Sequence, residues 1–224
     1  MRNKKILIPG WAVGDNSWGV TKPYLHYFSK FGQVDILSPR KDIVNCDLLV
    51  LPGGLDVSPF NYDGVPGFMT SNTDVYKQYF MDRNLIEYVM EGIPIFGICL
   101  GMQQLAVKFG YPMEQHVNLY YSNPRTETKE ELVVSPRLVD SMHIKGLKVN
   151  SLHHQVVDSA SILTENHKDF ISIAISKTYG NIEAMAHKNF QIAGVQWHPE
   201  EIEDQFSEIL INKLLERNLH SIFK

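Results

Sequence analysis

Short aliphatic runs alternate, along the first half of the chain, with segments whose apolar residues recur at helical spacing. The runs are bounded by Gly, Pro or Asp and predict buried strands at 6–9, 34–37, 48–51 and 93–98. The helical segments are predicted to end at Gly32, to run from an N-cap at Asp74 to Gly92, and to span Leu100–Phe109 before Gly110. Strands that alternate with helices in this way predict an α/β fold with right-handed crossovers.

The second half of the chain has a weaker pattern. The segment 117–149 is less regular, and the polar stretch Asn123–Glu131 predicts a mobile surface loop at which function could be gated. Beyond it, apolar clusters predict strands at 171–175, 183–186 and 192–196, followed by a closing helix at 202–219. Because the chain has no internal repeat and no linker, we predict one domain over residues 1–224.

Composition narrows the class of protein. A net charge of −4 and scattered Lys and Arg residues give no electrostatic case for nucleic acid. No stretch approaches the roughly 20 apolar residues of a membrane helix, and the apolar run after the basic start ends at Pro9, which favours a first strand over a signal peptide. The only two cysteines, Cys46 and Cys99, suit a reducing compartment, so we predict a cytoplasmic protein.

The turn after the strand predicted at 93–98 carries a cysteine. Residues 97–101 read Gly-Ile-Cys-Leu-Gly, and Gly-x-Cys-x-Gly between a buried strand and a helix is typical of a nucleophile elbow. Glycines suit this turn because it crowds side chains and can require positive φ. The start of the following helix places partial positive charge near the Cys99 sulfur and favours the thiolate. Cys46 lacks such a setting and is interpreted as a buried structural residue.

A second signal near the end of the chain supplies a base. In the segment 194–200, Gly-Val-Gln-Trp-His-Pro-Glu, His198 and Glu200 lie two residues apart at a predicted strand end, so their side chains project to the same side. An imidazole can take a proton from Cys99 and return it to a leaving group. Glu200 would fix the tautomer of the imidazole and stabilise its charged form. By itself the motif also suits a solvated surface turn, but with the elbow it predicts a triad that needs no metal and no cofactor.

Attack by a thiolate on a carbonyl creates an oxyanion, which preorganised N–H groups must stabilise. The N–H of Leu100, at the start of the helix after the elbow, is one candidate donor. The other comes from Gly53 or Gly54, in a glycine turn directly after the strand predicted at 48–51. A plain strand-to-loop turn is the alternative interpretation of the two glycines.

Together these segments resemble the class I glutamine amidotransferase-like superfamily, and most closely its γ-glutamyl hydrolase branch, which includes γ-glutamyl-γ-aminobutyrate hydrolase. The elbow and the His-Pro-Glu motif are shared by the superfamily. The narrower motifs are Pro-Gly-Gly-Leu-Asp-Val at 52–57 and Asn-Ser-Leu-His-His-Gln at 150–155, and these favour the hydrolase branch. The resemblance spans nearly the whole chain and implies a flavodoxin-related three-layer sandwich, in which helices flank a central, mostly parallel sheet.

The resemblance also implies roles for individual residues. It implies a nucleophile at Cys99, a base at His198 and a carboxylate at Glu200. Substrate-binding positions are implied at Gln103, which lies one helical turn past the nucleophile, at Asp56, and at His153 and His154. A packed loop histidine remains the alternative for the His153–His154 pair. A zinc site is disfavoured because no further ligands come at suitable spacing.

The chain departs from the branch in two places. The elbow carries Leu100 where the branch usually has a basic residue. The segment Trp11–Val20 holds two tryptophans, Trp11 and Trp18, which either cover the pocket or pack a loop. Both departures bear on the substrate more than on the reaction.

The predicted function is hydrolysis of a γ-glutamyl amide, a small-molecule substrate, through a γ-glutamyl thioester on Cys99. The leaving amine stays open among an amino acid, a polyamine derivative, γ-aminobutyrate and an amine carried on a nucleotide as a phosphoramidate. The first alternative is a glutaminase subunit that passes ammonia to a synthetase partner. A synthetase partner is expected only under this alternative. A second is a binding protein that has lost catalysis, and a homodimer is left open.

Overall fold

The structure is a computed structural model of the 224-residue chain. It describes residues 3–14, 17–38, 44–70, 73–117, 122–136, 138–139, 144, 146–163 and 169–223. The strands, in chain order, are β1 (Lys5–Pro9), β2 (Trp11–Gly14), β3 (Ser17–Gly19), β4 (Gln33–Leu37), β5 (Leu48–Leu51), β6 (Ile95–Ile98), β7 (Met113–Glu114), β8 (Glu130–Val134), β9 (Leu147–Val149), β10 (Val156–Val157), β11 (Phe170–Ser176), β12 (Ile182–His187) and β13 (Ile192–Val195).

Helices occupy much of the chain between these strands. They are α1 (Lys22–Ser29), α2 (Val75–Arg83), α3 (Leu85–Met90), α4 (Leu100–Lys108), α5 (Ser159–Leu163), α6 (Pro199–Ile202) and α7 (Gln205–Leu215). Two short 3-10 helices lie at Pro59–Tyr62 and Leu219–Phe223. No helix in the described part of the chain is long and apolar enough to cross a membrane.

Nine strands form one central sheet in the order β4-β1-β5-β6-β13-β12-β11-β8-β9. The first five are parallel to their neighbours, and the remaining pairings are antiparallel. Among the described strands of this sheet, only β12 and β8 therefore run against the others, and the predicted mostly parallel sheet is confirmed. The register sets Gly194 opposite Gly97 and Val195 opposite Ile98, which brings the chain before His198 beside the elbow.

Helices cover both faces of the sheet because successive side chains of each strand point to opposite faces. In β1, Ile6 and Ile8 belong to the buried cluster that includes α1 and α7, while Leu7 belongs to the cluster that includes α2, α3 and α4. The strand interiors are therefore apolar on both sides. This arrangement is the three-layer α/β sandwich that the resemblance implied.

The helix predicted from Asp74 to Gly92 is interrupted. Asp74 is its N-cap, as expected, and its carboxylate accepts hydrogen bonds from the N–H groups of Tyr76 and Lys77. At Asn84, whose φ is −111° and whose ψ is −29°, α2 gives way to α3. Asparagine is a weak helix former because its side chain competes for backbone hydrogen bonds.

The single closing helix predicted at 202–219 is wrong in its bounds. Helix α6 ends at Glu203, whose φ of 53° is left-handed, and α7 begins after a new N-cap at Asp204. The Asp204 carboxylate accepts a hydrogen bond of 2.8 Å from the Ser207 N–H. The break comes from this local cap, which the apolar spacing does not reveal.

The predicted surface loop Asn123–Glu131 is also wrong at its end. Glu130 and Glu131 begin β8, which pairs with both β11 and β9. Glu130 is buried and accepts a hydrogen bond from the Ser176 hydroxyl. The sequence pattern did not predict this strand, because its first residues are charged and it is stabilised by pairing with neighbouring strands rather than by local propensity. In the segment 117–149, residues 118–121, 137, 140–143 and 145 lie outside the described residues.

The segment Trp11–Val20 forms a hairpin of β2 and β3, with Asp15 and Asn16 outside the described residues. Trp11 packs edge-on against Tyr24 of α1, and Trp18 packs edge-on against Tyr76 of α2. The hairpin therefore lies over the end of the sheet that carries the elbow. A single domain over the whole chain stays a prediction.

Candidate active site

Cys99 lies at the junction of β6 and α4, in the turn that the glycine pattern predicted. Its φ of 50° and ψ of −107° are unusual for a residue with a side chain and cost on the order of 1–3 kcal/mol. The Cys99 N–H donates a hydrogen bond of 2.8 Å to the Val195 carbonyl, which fixes the turn against β13. The side chain is 5% exposed. The surrounding sheet thus holds the thiol in a strained and preorganised position.

The two flanking glycines are needed for space. A β-carbon on Gly97 would lie 2.7 Å from the Met102 nitrogen, and one on Gly101 would lie 2.1 Å from the Leu51 carbonyl oxygen. Positive φ was considered for these glycines from the sequence. In the described structure neither of them has it, and the residue with positive φ is Cys99 itself. The elbow motif therefore reflects close approach of α4 to β5 and β6.

His198 and Glu200 lie beside Cys99. The His198 Nδ1–H donates a hydrogen bond of 2.7 Å to Glu200 Oε1, and the imidazole is also within hydrogen-bonding reach of the Cys99 thiol. The predicted location at a strand end is wrong, because β13 ends at Val195 and His198 caps α6. The pair meets because Glu200 lies in the first turn of that helix.

Burial lowers the pKa of His198, but the Cys99 thiolate and the Glu200 carboxylate outweigh it and raise this pKa to about 10. The imidazole is therefore held in its charged form at neutral pH. A cation next to a thiol favours the thiolate. The three side chains form a series of thiol, imidazole and carboxylate that can carry a proton between a nucleophile and a leaving group.

Two further residues hold this series in place. Asn150 Oδ1 accepts a hydrogen bond of 2.9 Å from the His198 N–H, and Asn150 Nδ2 donates one of 2.7 Å to the Arg125 carbonyl. Burial and then the charge of Glu200 raise the pKa of Tyr24 well above its usual range, which places that phenol beside the carboxylate in its neutral form. Sequence analysis did not select either residue for the site.

The glycine turn after β5 adjoins the thiol. A β-carbon on Gly53 would lie 3.5 Å from Cys99 Cβ and 2.6 Å from His198 Cε1. The Gly53 N–H is engaged, because it donates a hydrogen bond of 2.8 Å to the Tyr24 hydroxyl oxygen. The Gly54 N–H makes no hydrogen bond to any described residue. The Leu100 N–H, at the first position of α4, is one of those that a helix leaves without an internal partner.

A cavity of about 560 Å³ opens beside these groups. Its walls include His198, Glu200, Gly53 and Gly54, the aromatic side chains of Trp11, Tyr24 and Tyr76, and the cations Lys77 and Arg125. Trp11 therefore lines the cavity, while Trp18 packs against α2 at its edge.

Gln103 and His153 lie in a buried polar layer next to the thiol. Gln103 Nε2 donates hydrogen bonds to the Gln155 carbonyl at 2.7 Å and to Gln196 Oε1 at 3.2 Å. His153 Nδ1 lies 3.2 Å from the same carbonyl of Gln155. Burial lowers the pKa of His153 to about 3, so this imidazole is neutral. Neither residue lines the large cavity in this structure.

Asp56 and His154 pair with each other instead. His154 Nε2 lies 3.0 Å from Asp56 Oδ1, and His154 Nδ1 lies 3.4 Å from His116 Nδ1. Asp56 lines a smaller cavity next to the first, together with Leu100. In the described ranges, no group of three or more His, Cys, Asp and Glu residues is arranged to hold a metal ion.

Glu183 is a buried acid that the sequence did not point to. It lies on β12, with its carboxyl 3.8 Å from His153 Nε2 and 2.7 Å from Asn181 Nδ2. Burial, followed by the charges of Glu130 and Cys99, raises its pKa well above the usual range. Burial therefore disfavours the charged form of this side chain. The alternation of β12 predicted a core strand and gave no signal for an acid in this layer.

Comparison with known proteins decides the family. The model of a family described as Peptidase C26 matches residues 33–200, which include Gly53, Cys99, His198 and Glu200. The chain belongs to the Peptidase C26 family. Among the relatives of this C26 protein, the glutamine amidotransferase-like protein YvdE of Lactococcus lactis is 28% identical over 199 residues, covering 79% of this chain and 78% of the relative.

Other matches carry the name of GMP synthase. One subunit of the glutamine-hydrolyzing GMP synthase of Methanosarcina barkeri is 34% identical over 139 residues, covering 61% of the C26 chain and 67% of that relative. A crystal structure of a GMP synthase subunit protein from Thermoplasma acidophilum has a TM-score of 0.64, with 22% identity over 99% of this chain and 94% of that one. This second likeness establishes the fold of the C26 protein as that of a class I glutamine amidotransferase.

Proposed function

We propose that the protein is a cysteine-dependent hydrolase of γ-glutamyl amides. The observation that carries this proposal is the contact series at the end of the sheet, in which the Cys99 thiol, the His198 imidazole and the Glu200 carboxylate follow one another. This series suits acyl transfer through a thioester.

In the first step, the Cys99 thiolate attacks the γ-carbonyl carbon, and the carbonyl oxygen becomes an oxyanion. The intermediate collapses, the carbon–nitrogen bond breaks, and the imidazolium of His198 gives its proton to the leaving amine. A γ-glutamyl thioester and neutral His198 remain. Glu200 keeps Nδ1 protonated throughout, so that Nε2 is the nitrogen that gains and loses the proton.

In the second step, His198 takes a proton from water as the oxygen attacks the thioester. Collapse of the second intermediate breaks the carbon–sulfur bond and releases glutamate, which regenerates the thiolate beside the imidazolium. Leu100 and one glycine of the turn supply N–H donors to the oxyanion in both steps. Of the two glycines, Gly54 is favoured because the Gly53 N–H already donates to Tyr24.

The predicted substrate contacts fall into two groups. Gln103 and His153 belong to the buried layer next to Cys99, which suits a role in holding the glutamyl group close to the thiol. Asp56 and His154 lie farther out, where their mutual hydrogen bond would shape the loop above the site.

The large cavity supports a leaving amine that is larger than ammonia. Its volume of about 560 Å³ lies within the range of about 300–1,000 Å³ that is usual for pockets holding a whole small molecule. Trp11 and Tyr24 offer aromatic surface, and Arg125, whose guanidinium also lies 3.6 Å from Glu201 Oε1, offers a cation. An amine with an anionic substituent, such as γ-aminobutyrate or a phosphoramidate-linked nucleotide, fits this lining.

A glutaminase subunit that serves a synthetase partner is the second candidate. The observation that favours it is the 34% identity to the GMP synthase subunit of Methanosarcina barkeri. In that case glutamine is the substrate, and ammonia passes to the partner. For either function a thiolate nucleophile needs reducing conditions, which is consistent with the proposed cytoplasmic location.

The decisive experiment compares glutamate release from γ-glutamyl-γ-aminobutyrate, γ-glutamyl-putrescine and glutamine by the purified chain. We expect kcat/KM to be at least about tenfold higher for an amide with an anionic amine than for glutamine. Arg125→Ala should narrow that preference, and Lys213→Met on α7 is the control. Glutamine as the best substrate, with turnover that rises when a ligase is added, would favour the glutaminase.

A further inference from the structure

One buried cation in the cavity wall has no part in the steps above. Lys77, in the first turn of α2, is 4% exposed, and its Nζ lies 4.9 Å from the centre of the Trp11 ring. Within the described residues its ammonium forms no salt bridge, and the hydrogen bond that it donates goes to the Gly53 carbonyl oxygen. Burying an ammonium is costly unless it is well paired. The burial of this ammonium against a peptide next to the nucleophile therefore suggests a functional role for Lys77.

The peptide that Lys77 contacts is the one that carries the favoured oxyanion donor. The Gly53 carbonyl and the Gly54 N–H belong to a single planar unit and, across a trans bond, point in opposite directions. A hydrogen bond that fixes the carbonyl therefore also fixes the direction of the N–H. An ammonium on the oxygen also polarises the amide and makes its N–H a stronger donor.

Gly53 is held at both of its backbone groups. Its carbonyl accepts from Lys77, and its N–H donates to the Tyr24 hydroxyl. The Lys77 ammonium also lies close to Gly54, because a β-carbon on Gly54 would lie 2.5 Å from Lys77 Nζ and 2.7 Å from Leu100 Cδ2. Glycine gives the backbone this closeness but leaves it free to rotate. The two anchors remove that freedom.

We propose that Lys77 is a positioning residue, which holds the Gly53–Gly54 peptide in the orientation that presents the Gly54 N–H to the oxyanion. This inference rests on the proposed function. The residue after Cys99 in the elbow is the apolar Leu100. The cation at the Gly53–Gly54 peptide is instead Lys77 of α2.

The first test separates oxyanion stabilisation from thiolate reactivity. Lys77→Met keeps the length of the side chain and removes the charge. We expect kcat for a γ-glutamyl amide to fall about 10- to 100-fold, with KM changed less than about threefold. Alkylation of Cys99 by iodoacetamide should change less than about threefold, because displacement at a saturated carbon forms no oxyanion. Lys213→Met should match the wild type in both assays.

Any of three kinetic results would overturn the proposal. An unchanged kcat in Lys77→Met would mean that the peptide needs no such anchor. A raised KM with unchanged kcat would mean that Lys77 binds the substrate directly. A parallel loss of alkylation would place its effect on the thiolate and not on the oxyanion peptide.

The second test needs no substrate. The sequence contains a single Gly-Gly pair, at 53–54, so protein labelled with carbonyl-13C, 15N-glycine gives one carbonyl-to-amide correlation by NMR. We expect Lys77→Met to move the Gly53 carbonyl resonance upfield and to broaden or split it, while Lys213→Met leaves it unchanged. An unmoved single resonance in Lys77→Met would refute the proposed anchor. If the wild type hydrolysed no γ-glutamyl amide, the proposed function would fail, and this spectrum would still decide the role of Lys77.

Discussion

Cys46 and Cys99 are equally buried, each 5% exposed, and each belongs to an apolar cluster, yet the charged groups and the backbone around them differ. Cys46 lies before β5 in an apolar cluster, where burial raises the pKa of its thiol to about 12 and Lys5 only partly opposes the effect. Cys99 has a strained backbone at a helix start, with the charged His198 imidazole in contact. The comparison teaches that reactivity here depends on the charges arranged around the sulfur and not on its exposure.

Replacing each cysteine in turn is the most direct test of the difference between the two thiols. Cys99→Ala should lower turnover of a γ-glutamyl amide by at least about 10⁴-fold, because it removes the proposed nucleophile. Cys46→Ala should change turnover little. Steady-state kinetics on both variants, with circular dichroism to check folding, measures the contrast. Activity of Cys99→Ala near the wild-type level would identify another nucleophile.

Alkylation compares the two thiols within one molecule. At pH 7.5, iodoacetamide should modify Cys99 at least about a thousandfold faster than Cys46, since the thiolate is the attacking form. Peptide mass spectrometry over time gives both rates. Comparable rates would mean that access, and not charge, controls both sites.

Variants of His198 and Glu200 test how the two partners of Cys99 divide their roles. Removal of the base in His198→Ala should cost more turnover than Glu200→Gln, by about 10- to 100-fold, because the carboxylate orients the imidazole and transfers no proton itself. The measurement is kcat for each variant. Asn150→Ala is a third variant, which removes the hydrogen bond that Asn150 accepts from the His198 N–H. Equal losses would give Glu200 a larger part than positioning.

The smallest expected effect is a shift in the titration of His198. Burial lowers the pKa of this imidazole, and the Cys99 and Glu200 charges raise it to about 10. Loss of the thiolate in Cys99→Ala should therefore lower that pKa by at least about one unit, while Cys46→Ala should leave it in place. NMR of the histidine rings across pH 6–11, assigned with His198→Gln, gives both values. A pKa that stays put in Cys99→Ala would mean that Glu200 alone holds the proton.

Local patterns predicted the parallel half of the fold well. The strands β1, β4 and β5 and the helix α4 follow from apolar runs closed by Gly, Pro or Asp, since both faces of a parallel sheet are covered. In the antiparallel half, the strands predicted at 171–175 and 183–186 are confirmed as β11 and β12, but β8 was not predicted. In β8 the strand begins at Glu130 and Glu131, whose charges resemble a loop until neighbouring strands pair with them. The start of α7 was missed for a related reason, because it depends on one cap, in which the Asp204 carboxylate accepts a hydrogen bond from the Ser207 N–H.

The candidate site divides in the same way. The elbow at Cys99, the motif at His198 and the glycine turn at Gly53 are short segments whose residue types and spacing are readable directly, and the structure places them together. Tyr24 and Lys77, which hold the glycine peptide, and Asn150, which holds His198, belong to other elements. Nothing in the sequence around Lys77 marks it, since a lysine on a helix usually faces water.

The sequence alone predicted which groups could react, because a Gly-x-Cys-x-Gly turn, read together with a histidine two residues before a glutamate, is typical of a nucleophile and its base. Only the tertiary structure decided how those groups are held, because orientation and charge depend on side chains that arrive from distant helices and strands. Lys77 is the clearest case. Its meaning comes from one carbonyl oxygen, on Gly53, that folding brings to its ammonium.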